Sequence, residues 1–321
     1  MAVAREVPGG EVRPGGGVAQ EAPVRECSIA WGGLPAWGSA TQASFFVALE
    51  QSGPWGREAL TESHLDPGLG AALADAAARA GGRVLLIRRP GRHADIHEGP
   101  RRVYVAGGLA SAPWLLGGAL SEPADLLGLP WGTLGGSMVP EVAGLTPTGP
   151  VLLVCTNAKR DRCCALRGRP IALALAEAGR AVWECSHTGG HRFAPTGVVL
   201  PLGQVVGRLT VPLGAAVLDA AASGRLAPQA LGETHDRGMS HLEPRLAAAV
   251  SFVAASVPET DPHALRAEAG SSAVVVRHRD GRQWSLAVTE TSGEPLPDSC
   301  GKPPKPSRTW RVEPCAAQAT L

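Results

Sequence analysis

Aromatic side chains are scarce in this chain, 4% of 321 residues, with eight Trp, four Phe and a single Tyr. A core with so few rings rests on Val, Leu and Ala, and each Trp acts as an anchor that buries a large area; Trp37, Trp55 and Trp183 are expected in that role. Lysine is nearly absent, three residues against 27 arginines, yet the formal net charge is only +1. Such a balance leaves no broad basic footprint and argues against a nucleic-acid partner. Long apolar runs are also missing: none approaches the roughly 18 uncharged residues that a membrane helix needs. The opening stretch, MAVAREVPGGEVRPGGGVAQEAPVRE, carries Gly, Pro and charge where a signal peptide would be apolar. A cytoplasmic protein without a membrane partner is therefore expected. No Cys-x-x-Cys pair marks a thiol–disulfide oxidoreductase. No Gly-x-Gly-x-x-Gly follows a strand-like run, so a built-in nicotinamide or flavin site has no support. No paired-carboxylate motif points to sugar hydrolysis.

What is present is a compact set of soft ligands. Cys155, Cys164, His187 and His191 lie within 37 residues in the order Cys-x8-Cys-x22-His-x3-His. Seven cysteines, an odd number, fit a disulfide framework poorly, and in a reducing compartment clustered thiols read as metal ligands or redox groups. Two thiolates with two imidazoles suit either tetrahedral zinc or a [2Fe–2S] cluster. Cys155 ends a strand-like run. Cys164 sits near a helix start, where the positive helix end favours thiolate. His187 and His191 bracket Thr188-Gly189-Gly190, and two adjacent glycines disfavour the helical His-Glu-x-x-His arrangement of metalloproteases. Cys163, next to Cys164, is an alternative ligand, although neighbours on a helix point in different directions.

The organisation along the chain is α/β. Residues 1–25 have the composition of a disordered tail. Residues 43–50, 83–88 and 102–106 read as strands and 69–80 as a helix. The Gly- and Pro-rich stretch 107–150 reads as a connection whose elements are not resolved by pattern. Residues 150–155 and 181–185 read as strands around a helix over 163–178, with Pro170 as a possible true helix start. A hairpin is expected at 198–209 around Gly203-Gln204, helices at 213–222 and 243–256, and a second hairpin at 273–289 on the turn RDGR. A short strand is expected at 309–312 and a Pro-rich loop at 295–306. The order of elements after residue 150 belongs to a thioredoxin-like layout. No internal repeat is visible, although two halves can share a topology that sequence hides.

The segments CTNAKRDRCCALRGRPIALAL and VWECSHTGGHRFAPTGVVLPLGQVVGRL resemble the sucrase/ferredoxin-like family of thioredoxin-like [2Fe–2S] proteins. The resemblance is close over 151–209 and weaker upstream, through 27–50, GPWG at 53–56 and VLLIRRP at 84–90. It implies cluster ligands at Cys155, Cys164, His187 and His191, with the register choosing Cys164 over Cys163. It further implies two thioredoxin-like domains with mixed central sheets, plus a C-terminal hairpin extension. The expected division is 1–25 tail, 26–148 N-terminal thioredoxin-like domain, 149–257 domain carrying the cluster, and 258–321 extension. Asn157 stands where some relatives carry His, which removes a titratable group there.

The function so implied is electron transfer by one [2Fe–2S] cluster, served by an unidentified redox partner such as a reductase, and not an enzyme with its own substrate. The alternatives are a structural zinc domain on the same ligands and a thioredoxin-like thiol–disulfide protein. Replacing two thiolates by neutral imidazoles should lift the potential above the all-Cys range and couple reduction to pH. Arg160, Asp161, Arg162, Arg192 and Phe193 are candidates to surround the site, Asp161 equally as a helix cap. His93 and His97 read as a solvated loop and Cys185 as core. Cys27 resembles a family position to which no function attaches, and Cys300 and Cys315 are a possible oxidised pair.

Overall fold

The first two strands of each half of the chain are buried along nearly their whole length, which requires cover on both sheet faces. The structure, a computed structural model, describes residues 26–92 and 99–315. The expected tail and the His93/His97 pair lie outside the described residues.

After a single helical turn, α1 (Cys27–Ala30), strand β1 (Phe46–Glu50) leads to helix α2 (Pro67–Arg79). The Asp66 carboxylate accepts from the Leu69 N–H at 2.7 Å, and Pro67 takes the first helical position, where its missing N–H costs nothing. Strand β2 (Arg83–Arg88) then pairs parallel to β1, while β3 (Arg101–Gly107), β4 (Trp114–Leu120) and β5 (Leu145–Pro147) add on antiparallel. The second half repeats this. Strand β6 (Val151–Cys155), helix α3 (Arg162–Glu177) and strand β7 (Val182–Cys185) form a parallel pair with a helical crossover. Strands β8 (Gly197–Leu200) and β9 (Gln204–Val206), helix α4 (Val211–Ala222) and strand β10 (Asp236–Met239) follow, with the three strands antiparallel.

These ten strands form one mixed sheet in the order β10-β9-β8-β6-β7-β2-β1-β3-β4-β5. Read outward from the β7–β2 junction, the two halves have the same strand order. The junction is antiparallel, Ile87 opposite Cys185 and Arg88 opposite Glu184. A buried ion pair closes it: Arg88 donates to Glu184 Oε2 at 2.9 and 2.8 Å, and Thr156 donates to the same oxygen at 2.8 Å. Arg88 also lies 4.2 Å over the Trp55 ring.

Beyond the sheet, helix α5 (Pro244–Ser256) packs on a separate antiparallel sheet of β11 (Leu265–Ala269), β12 (Val274–His278), β13 (Gln283–Leu296) and β14 (Lys305–Pro314). The expected C-terminal hairpin is therefore two strands of a four-stranded sheet. Its long arms, β13 and β14, reach back to the main domain, where the Trp37 indole N–H donates to Trp310 O at 2.9 Å.

Three expectations need correction. The stretch 107–150 supplies β4 and β5; its glycines hid the strand because Gly118 is where the Gly144 carbonyl crosses, leaving no room for a Cβ. Helix α3 begins at Arg162 and runs through Pro170, since the Asp161 cap fixes the start. The expected Pro-rich loop is present but shorter, 297–304, because β13 runs on to Leu296 and β14 begins at Lys305, with a register shift between Gly293 and Pro295 accommodating the prolines.

Close approach also sets the sign of a test. Gly70, in α2, faces the Leu60 carbonyl so closely that a Cβ would collide with it. An alanine inside a helix normally stabilises by about 1 kcal/mol. Here Gly70→Ala is expected to destabilise by about 1–3 kcal/mol through overpacking, measured by denaturant unfolding.

Candidate metal centre

The site is built at the C-terminal end of β6. Cys155 is the last residue of that strand and is fully buried. After the loop, Asp161 caps α3, accepting from the Cys163 N–H at 2.9 Å, so both alternatives raised for this residue, cap and neighbour of the site, apply. The cap fixes the first helical turn, and the roughly 100° step between successive residues sends the two thiols apart. Cys164 turns toward Cys155. Cys163 turns the other way, toward Cys27 at 3.7 Å and Cys300 at 3.0 Å.

The histidines come from the loop after β7. Gly189 and Gly190 adopt φ of 81° and 67° in succession, a left-handed curl that side chains resist. The curl ends at Gly190 and sets His191 at the start of a 3-10 turn. The ligand atoms of Cys155, Cys164 and His187 all lie within 4.8 Å of one another. His191 stands beside them, its ring 5.3 Å from that of His187 at an interplanar angle of 35°, and its Nε2 is 3.8 Å from Asp161 Oδ2.

The loop is held from beneath by residues the sequence pattern did not single out. Arg237, wholly buried on β10, donates to Gly189 O at 3.0 Å and to both the hydroxyl and the carbonyl of Ser39. Arg83 donates to His187 O at 3.3 Å, and the Thr41 hydroxyl to Thr188 O at 2.6 Å. No motif announces Arg237, which lies 46 residues beyond His191 in an otherwise unremarkable turn–strand segment.

Electrostatics divides the two thiols. The Cys164 thiol donating toward Cys155, together with His187 and the Thr188 N–H, outweighs burial and holds Cys155 well below the ordinary thiol range. Cys164 is correspondingly pushed up by that same contact and by burial. Burial pushes His191 down despite the opposing Asp161 carboxylate. Burial also brings Arg237 down to about 9.

The other candidates fall into supporting places. Asn157 donates to Gly56 O at 3.1 Å, tying the first ligand loop to the GPWG segment. Arg160 pairs with Glu58. Arg162 is exposed. Arg192 lies 4.8 Å over Trp31, which stacks edge-on against the buried Phe193. Trp55 and Trp183 are buried and Trp37 partly so, in keeping with anchors. Cys185 is core. All seven cysteines are free, and Cys300 neighbours Cys163 and Cys27 instead of Cys315.

A family model for sucrase/ferredoxin-like proteins matches residues 37–233, well over half of the chain. The chain belongs to the sucrase/ferredoxin-like family. Searches of curated proteins and of solved structures returned no match. In this sucrase/ferredoxin-like chain all four expected ligands lie inside the matched region, whereas Cys27 and Cys300 lie outside it.

The donor set suits a metal. Two thiols face each other, and the Nδ1 atoms of His187 and His191 are both buried without a hydrogen-bond partner. A buried imidazole nitrogen left bare costs free energy unless something binds it.

Proposed function

We propose that the chain is an electron carrier, holding one [2Fe–2S] cluster on Cys155, Cys164, His187 and His191 and exchanging single electrons with a separate redox protein such as a reductase. The observation that carries this reading is the meeting of two buried thiols with the His187 imidazole, with the His191 ring 5.3 Å from that of His187 and both Nδ1 atoms lacking a hydrogen-bond partner. Membership of a family whose description includes ferredoxin supports it. The reading also takes each half of the large sheet as a thioredoxin-like domain, 26–148 and 149–257, with 258–321 as an extension, and places the protein in the cytoplasm. No helix among the described residues is long and apolar enough to cross a membrane.

When bound, such a cluster supplies a one-electron couple, lifted by imidazole ligation toward the roughly −150 to +300 mV of Rieske centres. The chain's own residues tune that couple. Buried Arg237 and half-buried Arg83 place positive charge near the sulfurs, which favours the added electron. Asp161 Oδ2, 3.8 Å from His191 Nε2, favours a proton on that nitrogen. The Gly189-Gly190 curl and the Arg237 contacts fix the imidazoles, so little rearrangement accompanies electron uptake.

A structural zinc ion on the same ligands is the second reading. It is favoured by the 4.8 Å limit within which the ligand atoms of Cys155, Cys164 and His187 fall, a span that one tetrahedral ion covers. Anaerobic purification followed by iron, sulfide and zinc assays separates the two. The electron-carrier reading expects iron and sulfide in equal amounts, and a red-brown colour. A colourless protein with zinc at this site sinks it. For the iron form, the midpoint potential is expected to fall with rising pH once the oxidised-state imidazole titrates, by up to about 59 mV per unit for one proton per electron. Electrochemical titration from pH 6 to 10 checks this, and a flat line counts against His ligation.

A further inference from the structure

Cys27, Cys163 and Cys300 come from three distant parts of the chain and meet around one carboxylate. Their sulfurs are 3.7 Å (27 to 163), 3.7 Å (27 to 300) and 3.0 Å (163 to 300) apart. Both oxygens of Asp161 lie 3.8 Å from the Cys27 sulfur. The four ligand atoms are mutually within 4.8 Å, and Cys27, Cys163 and Asp161 are buried.

We propose that Cys27, Cys163, Cys300 and Asp161 form a second metal site, a tetrahedral zinc centre that clamps the segments before and after the family domain onto helix α3. A tetrahedral zinc with bonds of about 2.3 Å to sulfur has sulfur–sulfur edges of about 3.8 Å, and two of the three edges here match that length. Three soft thiolates with one oxygen select zinc over harder cations. The site uses none of the four residues assigned to the electron-transfer cluster, although its Asp161 also faces His191 Nε2 at 3.8 Å.

Two features of the surroundings favour an ion over free thiols or a disulfide. Three sulfurs in mutual contact allow only one disulfide, which would strand the third thiol against a buried carboxylate. That carboxylate is already oriented: Oδ1 accepts from the Cys163 N–H at 2.9 Å, and Oδ2 accepts from the Cys300 N–H and the Ser299 hydroxyl, each at 2.8 Å. Its only ion-pair partner among the described residues is His191 Nε2 at 3.8 Å. The helix α3 N-terminus and Arg192 offset the excess negative charge of three thiolates and a carboxylate.

The placement explains what the ion would do. Helix α1 is a single turn, and Cys300 lies at the tip where β13 returns into β14. Neither piece has a core of its own, and metal binding supplies folding free energy where a core does not.

The test uses the full chain, purified without chelator, and counts zinc by mass spectrometry of the metals. One zinc per chain that survives Cys155→Ser is expected. Cys300→Ser should lose that zinc about tenfold or more in affinity while keeping its iron and sulfide. Should Cys300→Ser fail to fold, X-ray absorption at the zinc edge of the unaltered chain decides, with three sulfurs near 2.3 Å and one oxygen expected. Zinc that is lost in Cys155→Ser but kept in Cys300→Ser overturns the proposal, because it then belongs to the first site. So does an alkylated, unreduced chain whose mass shows Cys163 and Cys300 joined in a disulfide, or a folded chain with no zinc at all.

Discussion

Cys164→Ser is expected to strip the protein of iron and sulfide almost completely, whereas Cys163→Ser, one residue earlier, leaves both in place. The contrast follows from the first turn of α3. With Asp161 as cap, Cys163 donates its backbone N–H to the carboxylate and aims its sulfur at Cys27 and Cys300. Cys164 shares a ligand group with Cys155 and His187. Serine removes a soft thiolate and substitutes a hydroxyl that does not ionise at neutral pH, and iron–sulfur sites select thiolate. The loss should be far more than tenfold, since a direct ligand matters more than the outer contacts whose removal costs about 10–100-fold. His191→Ala is expected to act likewise, opening a coordination position beside His187. Iron and acid-labile sulfide per chain, with visible absorption, check all three variants. Retention in Cys164→Ser with loss in Cys163→Ser would reassign the ligand and the orientation of the helix with it.

Much of the second half was legible in the sequence because its signals are local. The run PVLLVC reads as a buried strand, Asp161 before a helical composition reads as a cap, and Gly203 marks the hairpin between β8 and β9, which the structure closes with Val199 opposite Gln204. The meeting of Cys155, Cys164 and His187 was legible for the same reason: strand end, helix start and a Gly-Gly loop are each short-range features. The long-range parts were not. Strand β4, WLLGGAL, looks like a linker until the Gly144 carbonyl is seen crossing Gly118. Strand β10, DRGM, has too little apolar pattern to be read, yet it carries Arg237. The repetition of strand order in the two halves is invisible because the halves place different residues on the same topology. The Cys27–Cys163–Cys300 meeting joins positions 273 residues apart, a proximity that no spacing rule contains.

These hidden contacts decide how firmly the site is held. The expected ligands stand on one strand, one helix start and one loop, and only the strand and helix are braced by regular hydrogen bonding. The loop depends on side chains from both halves: Thr41 from the segment before β1, Arg83 from β2 and Arg237 from β10. The imidazoles are thus positioned by both halves at once, which gives the first half a structural part in the site although it contributes no expected ligand.

Gly190→Ala should expose that dependence more sharply than any other single methyl group. At φ 67° the residue is left-handed, which costs a non-glycine residue about 1–2 kcal/mol. The added Cβ would also run into the Arg237 guanidinium, whose other contacts, to Gly189 O and Ser39, leave it no free direction. Overpacking of this kind adds about 1–3 kcal/mol, so a total near 3 kcal/mol is expected. Gly224, at φ 66° after α4, has nothing within 4 Å of its would-be Cβ, and Gly224→Ala therefore isolates the conformational cost alone. Denaturant unfolding of the two variants should separate by the collision term. Iron content should separate them further: Gly224→Ala keeps its metal, while Gly190→Ala, by swinging His191 away from His187, loses most of it. Equal stability and equal iron in the two would mean that Arg237 yields easily and does not position the histidine loop.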